Sequence, residues 1–406
     1  MSFPLAIDGG TPVRTAPLPA WPAPGAEEIA AVTDVLASGK LNYWTGEQGR
    51  RFEAEYAASL GRTHAIALAN GTLALELALR AFCIGTGDEV VVPSRTFIAT
   101  ASAVVAVGAT PVCADIDRDS SNLTASTVRA VLSEKTRAII PVHLGGWPVD
   151  MAPIVALAAE HDLIVIEDCA QAHGGTYQDR PVGALGSHAA AFSFCHDKIL
   201  PIGEGGMLVL DDPAAYARAW SYKDHGKSYE KVHDVEFMTG STSFKWLVDS
   251  FGSNWRLDEL SSAMGRVGLE KLPEYHDRRT HNALRLASGL AGIPALRVPL
   301  PAADTVHAFY RLYAYIVPDA LAPGWDRDRI ASAISAEGVV AQYGGCAEIY
   351  REAAFTSAGL SPATRLPGAA EVHDTSLAFF VHPTLGDAEI DDAIAATRKV
   401  FEVASR

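Results

Sequence analysis

An α/β fold built on a mostly parallel sheet is predicted by two features of the 406-residue sequence. From residue 60 onward, short β-branched runs alternate with longer Ala- and Leu-rich helical patterns, the sequence form of crossover connections between parallel strands. The composition, 49% hydrophobic and 20% charged, supplies a large core and excludes a disordered chain. A change of pattern after residue 255 adds a smaller α+β unit.

The elements follow in order. The N-terminal segment, rich in Pro and Gly, reads as an arm lying over the body. Strand candidates are His64–Leu68, Glu89–Pro93, Thr110–Asp115, Ala138–His143, Leu163–Asp168, Ala190–Phe194 and Met207–Leu210, each an apolar run bounded by turn residues. Helical patterns between them cover Gly71–Phe82, Ile98–Val107, Ala125–Leu132 and Met151–Glu160. Beyond residue 255, Leu257–Leu272 reads as a long helix, with Pro273 as a kink or boundary. A strand over Ala308–Val317, a helix over Arg327–Glu337 and a closing helix over Asp387–Val403 complete the chain. The expected division is an arm plus large α/β domain over residues 1–256, then a connecting helix and smaller α+β domain over residues 257–406.

Charge and cysteine usage narrow the function classes. With 33 Lys and Arg against 48 Asp and Glu, the net charge is −15, which argues against a nucleic-acid binder because that requires clustered cations. A phosphorylated small molecule needs only a local pocket and stays open. The five cysteines, Cys83, Cys113, Cys169, Cys195 and Cys346, form no CxxC pair, so neither a disulfide framework nor a metal site is expected. The start MSFPLAIDGGTPVR lacks a basic region followed by an apolar run. The uncharged run Phe97–Ala114 is too rich in Ala, Ser, Thr and Gly for a membrane span. A cytoplasmic location without membrane contact is expected.

In parallel sheets the ligand sits beyond the carboxyl ends of the strands, so residues just after each apolar run are where chemistry belongs. Three segments stand out. LIVIEDCAQAHGG (163–175) places Asp168 at a strand end, with Glu167 on the opposite face by the two-residue period. Asp168 suits a metal, a ribose or a protonated ring nitrogen, or else a helix cap. AAAFSFCHDKILPIGEGGM (189–207) sets Lys198 in a turn flanked by apolar residues and glycines, where a desolvated amine turns nucleophilic; an ordinary surface lysine is the alternative. LANGTLALELAL (68–79) runs a strand through Asn70-Gly71-Thr72 straight into a helix. Free N–H groups there cradle a phosphate, unless the feature is simple capping by Asn70. Pyridoxal phosphate (PLP) requires all three: donors for its phosphate, an amine for its aldehyde and a carboxylate for its ring nitrogen. Phe97 is placed to stack on such a ring.

The segments GGTPVR, ANGTLALELAL, GDEVVVPSRTFIAT, GATPVCADID, IEDCAQAHGG, FSFCHDKILPIGEGGM and FGSNWRLDELSSAMG together resemble the sugar aminotransferases of the DegT/StrS type over nearly the whole chain. The resemblance implies a fold-type I PLP enzyme with a seven-stranded, mostly parallel sheet in the large domain. It implies that Lys198 carries the cofactor and moves protons, Asp168 pairs with the ring nitrogen and Gln171 bonds the ring hydroxyl. Gly71, Thr72 and Ser193 hold the phosphate, Phe97 stacks on the ring, and Asn254 reaches the phosphate of the other subunit in a homodimer. Related dehydratases carry His at the lysine position, so Lys198 favours transamination.

Departures from the commoner family pattern lie around Gln342–Tyr350, Leu377–Pro383 and Arg95, where the sugar is expected. Asn42, Tyr43, Trp44 and Thr45 are candidates for a sugar pocket, with packing of the arm as the other reading. Arg95, Lys227 and Arg256 are candidates for substrate phosphates or the donor carboxylate, with surface or interface ion pairs as the alternative. His143, His173 and His225 suit hydrogen bonding better than metal ligation. The expected activity transfers an amino group from L-glutamate, or L-glutamine, to a ketone of a nucleotide-activated hexose, for amino-sugar and polysaccharide biosynthesis. A cyclitol or other carbocyclic ketone, and a non-catalytic PLP-binding regulator, are the rivals.

Overall fold

The computed structural model describes residues 4–234, 238 and 245–406. Seven strands, β1 (His64–Leu68), β2 (Glu89–Pro93), β3 (Thr110–Ala114), β4 (Thr136–Ile139), β5 (Ile164–Asp168), β6 (Ala189–Ser193) and β7 (Gly206–Leu210), form one sheet in the order β1-β7-β6-β5-β4-β2-β3. Strands β2 to β6 pair in parallel, while β7 runs antiparallel to both β6 and β1. The carboxyl ends of β1 and of β2 to β6 therefore share one edge, which gathers Asn70, Ser94, Asp168 and Ser193. Apolar cores cover both faces, as a mostly parallel sheet requires.

Strand β4 stops at Ile139, short of the expected His143. Pro141 has no N–H to donate, and pairing resumes only as a single bridge between Val142 and Asp168. Asp168 N–H instead reaches the Pro141 carbonyl at 2.8 Å.

Pro273 is not a boundary: one helix runs from Glu259 to Leu290 with Pro273 inside it. Packing along its length offsets the lost hydrogen bond. Met264, Leu269 and Leu272 lie against the sheet core, whereas Ala283, Leu286, Ala287 and Leu290 belong to a separate core. That second core is built around an antiparallel sheet of Leu296–Arg297, Leu312–Ile316, Ser376–Phe379 and Ala341–Gln342, with helices Arg327–Ala336 and Asp387–Ala404.

The strand expected from Ala308 begins only at Leu312. The residues before it are held elsewhere: Ala308 N–H donates to the Gly146 carbonyl at 2.8 Å and Arg311 N–H to Gly145 at 3.1 Å. The arm also joins the two bodies. Leu5 is buried in the second core, and the Trp21 indole N–H donates to the Lys198 carbonyl at 3.0 Å. Among the described residues, no helix is long and apolar enough to cross a membrane.

Candidate active site

The helix Gly71–Ala81 starts where β1 ends. The Asn70 side chain accepts the Leu73 N–H at 3.0 Å and the Asn70 carbonyl accepts that of Ala74, which leaves the Gly71 and Thr72 N–H groups at the helix start without intrahelical acceptors. Capping and anion cradle thus coexist. Gly71 has no room for a side chain: a Cβ there would sit 2.7 Å from the Ser193 Cβ. The helix start and the end of β6 are therefore pressed together, which brings Gly71 against Ser193.

His173 fixes the Ser193 side of this cradle. Its Nε2 faces the Ser193 carbonyl at 2.9 Å, which only accepts, so the proton is on Nε2 and Nδ1 accepts the Tyr56 hydroxyl at 2.9 Å. Burial pushes its pKa down to about 4, so the ring is neutral at physiological pH.

Asp168 is buried at the end of β5. Thr100 Oγ1 donates to its Oδ2 at 2.9 Å, and Ala170 N–H donates to Oδ1 at 3.2 Å. Burial nevertheless raises its pKa above the usual carboxylate range, against the pull of those donors, Lys198 and His143. Glu167 points to the other face, as expected, and is saturated by His143 Nε2 at 3.0 Å, Ser187 Oγ at 2.5 Å, Gly183 N–H and Leu185 N–H. His143 Nδ1 accepts the Val149 N–H, so its Nε2 donates to Glu167. His143 and Glu167 lie near Cys169, but these engaged groups make the cluster structural. Gln171 Oε1 accepts the Gly145 N–H at 2.7 Å, which turns its amide NH₂ into a free donor.

Lys198 follows β6 in a turn closed by its own N–H to the Cys195 carbonyl. Its side chain is 16% exposed, and Nζ lies 3.7 Å from Asp197 Oδ1 and 4.8 Å from the Tyr310 ring centroid. The Lys198 amine, the buried Asp168 carboxylate and the free Gly71 and Thr72 N–H groups thus all lie beyond the carboxyl ends of β6, β5 and β1.

The model of the DegT/DnrJ/EryC1/StrS aminotransferase family matches residues 22–398. The chain belongs to this family. Its fold superposes with a TM-score of 0.92 on an aminotransferase from Psychrobacter cryohalolentis, 45% identical, covering 95% of this chain and 99% of that one. It is 41% identical over 281 residues, 69% of each chain, to the dTDP-3-amino-3,4,6-trideoxy-alpha-D-glucose transaminase of Streptomyces venezuelae. It is 35% identical over 338 residues, 82% of this chain and 79% of the other, to the L-glutamine:2-deoxy-scyllo-inosose aminotransferase of Micromonospora echinospora.

The cofactor of a DegT/DnrJ/EryC1/StrS aminotransferase is PLP, and the residues present fit it. Asp168 is a buried carboxylate with no cationic nitrogen within 4.0 Å among the described residues, a deficit that a protonated pyridine nitrogen removes. The Gln171 NH₂ suits a phenolate oxygen, and the Gly71 and Thr72 N–H groups suit a phosphate.

The substrate candidates of this aminotransferase divide. Arg95 is fully buried, bonded to Ser121 Oγ at 2.9 Å and Ser376 Oγ at 2.6 Å and stacked over Tyr313 at 4.5 Å. It joins the two sheets and has no open face for substrate, and among the described residues it does not form the alternative ion pair. Tyr43 is buried too, its hydroxyl donating to Glu53 at 2.9 Å and its ring 3.7 Å from the Lys223 ammonium. Both lie next to plausible site positions in sequence, but their side chains turn inward. Trp44 stays 38% exposed, with Lys227 Nζ 4.4 Å over its ring. Lys227 and Arg256 both pair with Asp224, at 2.9 and 2.6 Å. Asn42 uses its side chain to accept the Trp44 N–H, and Thr45 bonds back to Asn42. Phe97 is 69% exposed and Asn254 is exposed.

Sequence reasoning missed Thr100, which holds Asp168, and the buried pair of Glu53 and Lys223. Thr100 lay inside the uncharged run, where a lone hydroxyl gives no signal. Lys223 Nζ has no hydrogen-bond partner and sits 3.8 Å from Glu53; burial lowers its pKa and raises that of Glu53. Lys223→Ala leaves Glu53 buried without its cation, and a loss of about 3–5 kcal/mol in denaturant unfolding is expected. The double variant Lys223→Met with Glu53→Gln should recover most of that stability.

Proposed function

We propose that this aminotransferase moves an amino group from L-glutamate, or L-glutamine, onto the ketone of a nucleotide-activated hexose, in the cytoplasm, toward amino sugars for polysaccharides or secondary metabolites. The carrying observation is the convergence of Lys198, Asp168 and the Gly71–Thr72–Ser193 cradle at one sheet edge. The sugar nucleotide is supported by the Streptomyces venezuelae relative, whose name specifies a dTDP-sugar. PLP, when bound, serves as the electron sink that lets an amino group pass from donor to acceptor.

The chain's own residues carry out the rest. Lys198 would hold the cofactor by its Nζ and, when not so engaged, would accept and return a proton at that atom. Asp168, fixed by Thr100, keeps the ring nitrogen protonated. Gly71, Thr72 and Ser193 anchor the phosphate, with His173 locking the Ser193 backbone, and Gln171 orients the ring from its hydroxyl side. Phe97 covers the ring. Asn254 completes the phosphate site of a second copy, so the active enzyme is a homodimer; the full exposure of Phe251, three residues before it in the chain, supports a covered face there. Trp44, Lys227 and Arg256 form an aromatic and cationic ledge suited to the nucleotide.

The test is the visible absorbance of the purified protein. L-Glutamate should bleach the cofactor band, and a nucleotide-linked ketohexose should restore it. The second reading, a carbocyclic ketone as acceptor, is favoured by the Micromonospora echinospora relative. Restoration by a cyclitol ketone, with no thermal stabilisation by nucleoside diphosphate, would decide for it.

A further inference from the structure

Beside Lys198 the cations outnumber the anions. Arg279, on the long helix, is fully buried and makes a single hydrogen bond, to the Phe309 carbonyl at 3.2 Å. Among the described residues its Nε and Nη2 have no partner, and the Trp21 ring covers it at 5.2 Å. Arg311 lies within its electrostatic reach. The Arg311 side chain keeps 12% exposure, packed over the rings of Tyr310 at 4.2 Å and Phe380 at 4.4 Å.

Arg311 Nη1 is used by the Tyr310 carbonyl, while Nη2 reaches only Asp197 Oδ2, at a long 3.4 Å. Asp197 also accepts the Tyr310 hydroxyl and faces Lys198 Nζ at 3.7 Å. Its side chain is 39% exposed, so this acid can leave for solvent. His382 adds no further positive charge, since burial and the two arginines push its pKa down to about 4. Three cations, Lys198, Arg279 and Arg311, thus face two carboxylates, Asp197 and, within electrostatic reach of Lys198, Asp168, and only Asp197 is open to solvent.

We propose that Arg311, backed by Arg279, is the subsite for a carboxylate of the amino donor, and that Asp197 stands in for it until the donor arrives. The proposal rests on the aminotransferase reading above for its donor. A guanidinium presents a planar fork that matches a carboxylate, and a buried cation lacking an anion is costly, so the site favours an anionic ligand. The stand-in oxygens mark the place: a carboxylate on Arg311 at the position of Asp197 Oδ2 lies beside the Lys198 amine. The donor class is therefore an α-amino acid, and Asp197 tunes its affinity by competing for the same cation.

The test follows bleaching of the PLP-loaded protein against L-glutamate concentration in Arg311→Gln, Arg311→Lys and Asp197→Asn, with glutarate binding to the cofactor-free proteins measured by calorimetry. Arg311→Gln should raise the half-saturating L-glutamate concentration about 10- to 100-fold, while that for the ketone stays at the wild-type value. Arg311→Lys should fall between, and Asp197→Asn should lower the L-glutamate value. Glutarate should bind wild type and not Arg311→Gln. An unchanged L-glutamate value in Arg311→Gln or in Asp197→Asn, or an equal rise for both substrates, overturns the subsite. If L-glutamate bleaches no band in wild type, the proposed function fails, and glutarate calorimetry alone decides the subsite. Where Arg311→Gln does not fold, the other two variants carry the same decision.

Discussion

Under the proposed function, Lys198→Ala protein is expected to lose transamination by at least about 10⁴-fold, because one amine is asked both to hold the cofactor and to move the proton. The structure gives the replacement nothing to fall back on. Asp197 and Tyr310 flank the Lys198 amine, and neither can form the required covalent link to an aldehyde. His196 is close in sequence, but its neighbour Asp197, not the imidazole, is what meets Lys198. The fold should survive, since the turn around Lys198 is held by backbone bonds to Cys195 and by the Trp21 indole on its carbonyl. Circular dichroism should therefore match wild type while the covalent visible band is absent. A variant turning over near the normal rate would remove Lys198 from the chemistry.

The second large effect concerns Asp168, where stability and activity should move in opposite directions. Burial holds its carboxyl pKa above the ordinary value, so the native cofactor-free protein binds this proton more tightly than the unfolded chain does. The linkage sign follows: the group favours folding most at acid pH, and that contribution is lost as pH rises through the raised pKa. Asp168→Asn removes the ionisation while still accepting from Thr100. The cofactor-free variant should melt at or above the wild-type temperature at pH 8, with a smaller gap at pH 5. Its activity should fall about 100- to 1,000-fold, because an amide cannot balance a ring-nitrogen charge. Thermal scans at both pH values and a steady-state rate check the pair; a variant both less stable at pH 8 and fully active would contradict the assigned role.

Much of the cradle was legible because it depends on local geometry. A strand that runs into a helix through Asn70-Gly71-Thr72 sets its own N–H groups, and Asp168 and Lys198 stand where apolar runs end. Legibility failed where side-chain direction or distant packing decides. Arg95 and Tyr43 follow turn-like segments, yet the carbonyl of Tyr343 and the hydroxyls of Ser121 and Ser376 draw Arg95 inward, while Glu53 and Lys223 enclose Tyr43. Arg311 read as part of a strand because nothing local reveals that Gly145 holds its backbone. Pro273 does not end its helix for a similar reason: a local helix breaker is outweighed by contacts with helices Ala26–Ser38, Gln48–Leu60 and Asp387–Ala404.

Strand β1 occupies a sheet edge; among the described residues its one partner strand is β7, the last strand of the sheet in the chain, beside a single bridge from Leu68 to Arg256. During synthesis β2 to β5 can pair as they emerge, but β1 must wait for Gly206–Leu210 before it has a partner. The helix start at Gly71 cannot reach Ser193 earlier, since β7 is the strand that separates β1 from β6. Cofactor uptake on a nascent or partly unfolded chain is thereby excluded until the sheet closes. Bound PLP becomes a signal of finished folding, and hydrogen exchange should find β1 opening together with the phosphate cradle as one cooperative unit.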